Sequence, residues 1–494
     1  MGRIIQGRII RGMPTAFQTA ARRMAALLAP LLLSVSLAAV AAPGDGTLPR
    51  EVEAALVRAK VPREAVTLLV ADAEGQRPPR LAWRSQEPVN PASVMKLVTT
   101  YAGLDILGPA FTWSTPVYTD GAVRGNVLEG NLYIQGQGDP KLVIERLWLL
   151  LRKVQALGIQ RIAGDIVLDR SAFDTGAHDP GAFDGRPLRA YNAGADALLV
   201  NFKSVQLSFT PDTANQVARI DVMPPLAGVA IPTSVPLGGE GKACGDWRTP
   251  MRGDFQATQF SFGGAYPAGC GEGTWIVAYP DPDSFAARAI AGLWAQMGGQ
   301  LQGTVREGRV PAGLAPAFEL PSPPLAEVIR DINKYSNNVM ADQLFLTLGL
   351  VQKRRGSFPN ARATMRQWWN ERIGTGEGQP VFDNGSGLSM EARVTAAGLG
   401  RMLQVAWRSP VMPELMSSLP IAGVDGTLRR RQLRSGAAAH LKSGTMPEYG
   451  VAGLAGYVDG ASGRRYVLVA IANHANAAAA RAAFDALVDW TAQD

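Results

Sequence analysis

The sequence predicts an α+β fold: an antiparallel sheet flanked by helices and interrupted by a large β-rich insertion. Three observations carry this. Residues 64–85 read as a hairpin, with "AVTLLVAD" and "RLAWRS" as strands on either side of the turn "EGQRPP". The far end of the chain reads strand, turn, strand, helix: "YGVAGLAGYVDG", "ASG", "RRYVLVAIANH", then "ANAAAARAAFDALVDWTAQD". Between them the texture changes twice, from helical periodicity to short alternating runs near 112, and back to helices at 279. Strands at both ends with helices between imply one sheet built from both ends of the chain.

Taken in order, residues 1–44 hold five arginines (Arg3, Arg8, Arg11, Arg22, Arg23) and no acid. An apolar run from Met24 to Val40 follows and closes on Ala39-Val40-Ala41, the pattern of a secretory signal peptide over residues 1–41. An uncleaved membrane anchor is the alternative; Pro30, Ser34 and Ser36 interrupt a run already short for a span. The net charge of +7 resides in this segment: without its five arginines, 44 basic residues face 42 acidic ones, a net +2. Nothing then argues for a nucleic-acid partner. Association with a membrane surface is left open.

Residues 43–112 and 279–494 are expected to form the sheet domain in two segments, and 113–278 the insertion, as two nested subdomains. Pro91 opens a helix whose Val94, Leu97, Val98, Tyr101 and Leu104 give one apolar face, and Gly108-Pro109 ends it. The insertion carries the strands "GNLYIQGQ", "GDIVLDRS", "VQLSFT", "ARIDVM" and "FQATQFSF", one helix at 142–158, and a Pro/Gly-rich loop at 224–242. Cys244 and Cys270 are the only cysteines, and in an exported chain an even pair reads as a disulfide, which would contribute ~3 kcal/mol by loop-closure entropy; two free buried thiols are the alternative. The three histidines (His178, His440, His474) are not spaced as metal ligands, and no cofactor is implied. Helices return with "DPDSFAARAIAGLWAQMGG", with two meeting near Tyr335–Asn338, and with "TAAGLGRMLQVAWRS".

The chemistry-bearing residues are few. Only nine lysines occur, and Lys96 alone has a serine, Ser93, three residues before it. At i and i+3 on a helix the two share a face. A lysine with a lowered pKa can take the proton of a serine nucleophile, and a helix start offers free N–H groups to an oxyanion. A second cation could depress Lys96, and "HLKSGTM" offers Lys442, followed by Ser443, Gly444 and Thr445. Hydroxyls and an ammonium there suit a carboxylate, and the glycine would let the strand approach a substrate backbone. The third piece is "KYSNNVMAD", where Ser336 and Asn338 would point the same way from a tight connection between helices. Each piece alone has a structural reading: a helix cap, an edge-strand lysine, a cap cluster.

Together, and in this order, they match the Ser-x-x-Lys, Ser-x-Asn and Lys-Thr-Gly set of penicillin-binding proteins and class A β-lactamases, with serine in place of the threonine. The chain resembles the D-alanyl-D-alanine carboxypeptidase/endopeptidase family of low-molecular-mass, class C penicillin-binding proteins, of the penicillin-binding protein 4 type. "NPASVMKLVTT", "GNLYIQGQGDP", "GDIVLDRSAFD", "NKYSNNVMADQLF", "DNGSGLS", "GVDGTL" and "HLKSGTM" carry the resemblance across the chain that follows the leader. So does the stretch of about 240 residues between Ser93 and Ser336, which compact β-lactamases lack.

The resemblance implies a periplasmic serine peptidase acting on peptidoglycan peptides and acylated by β-lactam antibiotics. It implies Ser93 as nucleophile, Lys96 as base, Ser336 as proton relay and Asn338 as the group that orients Lys96 and the substrate amide. Lys442, with Ser443 or Thr445, would hold the substrate's terminal carboxylate, and the N–H groups of Ser93 and Thr445 the oxyanion. Ser443 stands where the family usually has threonine, and Met390 where it often has arginine. A competing register, Tyr335 with Asn337, would point to a β-lactamase of the tyrosine-base kind, and a non-catalytic wall-binding penicillin sensor is the third reading. No Leu-Asn dipeptide exists to complete the deacylating element of the class A enzymes. The cluster Arg429, Arg430, Arg431 and Arg434 reads as a solvated face, with contact to an anionic wall polymer as its functional alternative, and Asp425-Gly426 and Asn384-Gly385 as turns.

Overall fold

The computed structural model describes residues 46–238, 244–376, 378–435 and 438–494. The expected signal peptide lies outside the described residues. Five strands form an antiparallel sheet in the spatial order Leu81–Trp83, Val66–Asp72, Arg465–Asn473, Val451–Asp459, Ala439–Met446. Alternate side chains go to opposite faces. Leu69, Ala71, Val467, Val469 and Ile471 join the core on one face, and Val66, Leu68, Val70, Leu468 and Ala470 the core on the other. Both faces are covered, so the three inner strands read as nearly continuous apolar runs.

On the front face lie the helices Met95–Leu107, Leu325–Lys334, Asn338–Lys353 and Ala396–Trp407, and on the back face Arg50–Ala59 and Arg481–Ala492. The helix from Met95 departs from expectation. Every residue from Met95 to Leu104 is buried, not one stripe of them. It runs through the interior, wedged between the sheet and the other front helices, so polar Thr99 and Thr100 are buried with the apolar residues. Its stop is local: Gly108 takes φ +82 and returns its N–H to the Leu104 carbonyl. The helix Phe358–Arg372 was not expected. Ser357 caps it, and its buried positions Ala361, Thr364, Met365, Trp368 and Trp369 are helically spaced but set among arginines and asparagines.

The insertion holds two five-stranded sheets. One is made of Ser114–Thr119, Leu132–Gln135, Ile166–Asp169, Val305–Glu307 and Phe318–Pro321. The other, made of Ser204–Asp212, Val217–Met223, Ser234–Gly238, Tyr266–Pro267 and Gly273–Ala278, falls between strands of the first in sequence. A single apolar core runs through both and takes in the helices Ile144–Ala156 and Phe285–Gln296. This corrects the boundary at 279. Phe285, Ile290, Leu293 and Trp294 pack into the insertion's core, and Leu325 is the next residue to enter the front core of the sheet domain. An apolar stripe foretells burial but not which neighbour supplies it. Cys244 and Cys270 are bonded within the second sheet's connections. Among the described residues no helix is long and apolar enough to cross a membrane.

Candidate active site

Ser93 sits in a single 3₁₀ turn, Ala92–Val94, which feeds directly into the helix Met95–Leu107. Asn90 shapes the entry: its Oδ1 accepts from the Ala92 N–H at 2.9 Å and its Nδ2 donates to the Ser389 carbonyl at 2.8 Å. Ala92 is held at φ +46, a conformation costly for a non-glycine residue. Lys96 is fully buried. Its Nζ lies 2.9 Å from Ser93 Oγ, 2.6 Å from Asn338 Oδ1 and 2.7 Å from the Ser386 carbonyl, three acceptors for three N–H bonds.

The loop between the helices Leu325–Lys334 and Asn338–Lys353 sorts its residues by direction. Ser336, at φ +58, accepts from Lys442 Nζ at 2.9 Å. Asn338 begins the second helix and divides its amide, Oδ1 to Lys96 and Nδ2 to the Tyr191 carbonyl at 3.0 Å. Tyr335 is 71% exposed, and Asn337 accepts from the Met340 N–H as an ordinary cap. Ser336 and Asn338 therefore face the two lysines; Tyr335 and Asn337 do not.

Lys442 stands on the edge strand yet is fully buried, donating also to the Ser443 carbonyl at 2.6 Å. Gly444 makes this possible. A Cβ there would stand 2.8 Å from the Pro91 carbonyl and 2.9 Å from the Ser93 nitrogen. The close approach served by this glycine is thus to the turn carrying Ser93, a protein contact where a substrate contact was expected. Ser443 Oγ meets Thr427 Oγ1 at 2.8 Å, and Thr445 is exposed. Ser93, Ser336, Asn338, Ser443 and Thr445 all line one groove of about 720 Å³.

Burial sets the electrostatics. It lowers the Lys96 pKa to about 7, against the opposing pull of Asp342. It also holds Lys442 well below the ordinary lysine value, with the nearby Lys96 adding to the shift. Asp342 was missed from the sequence, although it closes the quoted "KYSNNVMAD" one helical turn after Asn338. Burial raises its carboxyl to about 7, opposed first by Lys96. Its Oδ1 accepts from the Gly385 N–H at 3.0 Å, while Thr99 donates to the Gly385 carbonyl at 2.7 Å. Together they pin the loop that presents the Ser386 carbonyl to Lys96.

Two surface readings need correction. Arg431 leaves only 9% of its side chain exposed and pairs with Asp485, 2.6 Å away, so the arginine cluster is not uniformly a solvated face. Asp425 does more than turn the chain: it accepts from Lys334 at 2.6 Å and from the Ile421 N–H at 2.8 Å, tying the loop of Thr427 to the helix that precedes Ser336. Met390 is 45% exposed and is not among the groove-lining residues. Among the described residues no group of His, Cys, Asp or Glu is arranged to hold a metal.

Known proteins share this architecture. A D-alanyl-D-alanine carboxypeptidase of an Actinomadura species is 28% identical over 395 residues, 76% of this chain and 72% of that protein. The D-alanyl-D-alanine carboxypeptidase DacB of Haemophilus influenzae is 26% identical over 406 residues, 77% of this chain and 80% of its own. The crystal structure of penicillin binding protein 4 from the same organism superposes with a TM-score of 0.68 at 22% identity, covering 88% of this chain and 99% of that one. The same protein complexed with a β-lactam superposes with a TM-score of 0.63 at 23% identity, covering 86% and 93%. Residues 48–494 match the D-Ala-D-Ala carboxypeptidase 3 (S13) family, and the chain belongs to that family of serine-type peptidases.

Proposed function

We propose that the protein is an exported DD-peptidase that cleaves peptidoglycan stem or cross-link peptides through an acyl-enzyme on Ser93, and that penicillin acylates the same oxygen. The observation that carries this is the Ser93–Lys96 contact with Lys442 close behind. Lys96 is buried and depressed to about 7, so much of it is neutral amine near that pH. In that form two N–H bonds remain on Asn338 and Ser386, and the lone pair is free for the Ser93 hydroxyl proton. Ser93 Oγ then bonds to the scissile carbonyl carbon, with the N–H groups of Ser93 and Thr445 assigned to the oxyanion. Ser336, held by the Lys442 ammonium, passes a proton to the departing amine. Ser443 and Thr445 hold the leaving residue's carboxylate under the potential of Lys442. Water hydrolyses the ester to complete the cycle. The leader of residues 1–41 supports delivery to the periplasm, where this substrate lies.

The test is to label the protein with a fluorescent penicillin and map the labelled peptide by mass spectrometry, alongside product analysis with purified muropeptides. One slow-released label on Ser93 and loss of D-Ala or of cross-links are expected. A label elsewhere, or rapid turnover of many penicillins, would overturn the assignment.

A further inference from the structure

The groove does not end at the residues assigned to the terminal carboxylate. Ser443 and Thr445 pair with Leu454 and Ala452, which belong to the back-face core, so their side chains project to the side of the sheet opposite Lys442. The groove follows them. Around the edge strand it is walled by Thr427, Arg430, Arg431 and, from the C-terminal helix, Arg481 and Asp485. The other lobe, on the Ser93 side, is charge-balanced: Asp184 and Glu448 stand with Arg186 and Arg189, and Arg186 pairs with Glu448 at 3.0 Å. The outer lobe is not. Asp485 pairs directly with Arg431 and also feels Arg481, one helical turn before it, so one carboxylate answers several guanidinium groups; Arg430 and Arg481 are exposed and make no direct ion pair among the described residues.

A substrate whose leaving group is one free amino acid stops at the Ser443 and Thr445 hydroxyls. It has nothing to place against a further pair of arginines. A cross-linked substrate does, because its leaving residue continues into a second stem peptide bearing its own free carboxylates. We propose that Arg430 and Arg481 form a carboxylate subsite for the second stem of a cross-linked peptide, so that this lobe favours endopeptidase over carboxypeptidase cleavage. This rests on the peptidase reading above. Guanidinium groups suit the task, since each can grip a carboxylate through two N–H bonds.

The test compares the full-length mature protein with the Arg430→Ala/Arg481→Ala variant on two probes, a stem pentapeptide ending in D-Ala-D-Ala and a purified cross-linked muropeptide dimer. Penicillin labelling of Ser93 serves as the control. Both residues are exposed, so folding should survive. For the dimer, kcat/KM is expected to fall about tenfold, the worth of one good charged contact, mainly through KM. Added salt should narrow the gap between wild type and variant. Pentapeptide cleavage and labelling should hold. Equal losses on both probes would assign the arginines to the terminal carboxylate alone and overturn the second-stem subsite. No loss on the dimer, or a wild type that cleaves only the pentapeptide, would overturn it with the peptidase reading intact. A wild type that takes no label and cleaves neither probe would overturn both.

Discussion

The two faces of the central sheet are covered in different ways. The back face is closed by Leu56, Phe484, Leu487 and Val488 packed on strand residues such as Leu68 and Leu468, an apolar interior. The front face has a core of similar character but surrounds two fully buried lysines, a buried asparagine at Asn338 and the Asp342 carboxyl. It is bordered by two non-glycine residues at positive φ, Ala92 and Ser336. Burying an ammonium is costly, and a strained backbone costs of order 1–3 kcal/mol per residue. The front face thus gives up stability that the back face supplies. Lesions on the two sides should separate: activity lost without unfolding in front, stability lost without a change in chemistry behind.

The sharpest form of that contrast is Lys96→Met. Acylation by penicillin should fall by about 10³-fold or more, within the range for removing a general base. The melting temperature should change little, because removing a buried ammonium offsets the acceptors on Asn338 and Ser386 that lose their donor. Leu487→Ala on the back face should do the reverse, costing ~2–5 kcal/mol while acylation of the folded protein persists. Stopped-flow acylation and thermal melts read both. A Lys96→Met protein that melts far below wild type would break the comparison.

Next in size are the loop residues. Ser336→Ala and Asn338→Ala should each lose about 10²-fold in acylation rate, the first as a lost proton relay and the second as the lost partner that orients Lys96. Tyr335→Phe, whose ring is largely exposed, should retain its activity. A dead Tyr335→Phe beside a normal Ser336→Ala would reverse the register and favour a β-lactamase.

How much of this was legible in the sequence follows from where the chemistry is encoded. Ser93 and Lys96 are a local pair, three residues apart, and Lys442 with Ser443 and Gly444 is a contiguous run, so type and spacing sufficed to single them out. The sheet was legible because its inner strands are nearly unbroken apolar runs at both chain ends. Asp342 and Ser386 were not. Ser386 contributes a backbone carbonyl, which no residue type reveals, to a lysine 290 positions away. Asp342 sat inside a quoted motif, but an acid four residues past Asn338 reads as a solvated helix position until the loop at Gly385 closes over it. The boundary at 279 failed for a related reason, since periodicity does not name the partner.

Asp342 supplies a prediction in pH rather than in rate. Acylation needs neutral Lys96 and, on the proposed mechanism, cationic Lys442. Lys96 is lowered to about 7, so the rate should rise as pH passes upward through that value. Lys442 is itself held well below the ordinary lysine value, and where it loses its proton the rate should fall, which sets the opposing limb of the profile. Asp342 opposes the lowering of Lys96, so Asp342→Asn should carry the acidic limb to lower pH while the shape of the site is kept. An acidic limb that stays in place would show that Asp342 only anchors the Gly385 loop.

The smallest effect on chemistry belongs to the insertion's disulfide. Cys244 and Cys270 close a loop in the nested sheet, and none of the described residues from 204 to 278 lines the groove. Among the described residues, the insertion reaches the groove through the earlier segment that carries Phe183, Asp184 and Tyr191. Thiol titration of denatured, unreduced protein should find no free cysteine. The Cys244→Ser/Cys270→Ser variant should lose ~3 kcal/mol of stability, since the unfolded chain regains the closed loop's entropy. Its acylation rate at 25 °C should match wild type, because the strands it loosens do not touch Ser93. Two free thiols would refute the bond. A slowed acylation in the folded variant would mean that the nested sheet helps to place Tyr191 over Asn338, and the division between a chemical front face and a structural remainder would have to be redrawn to include it.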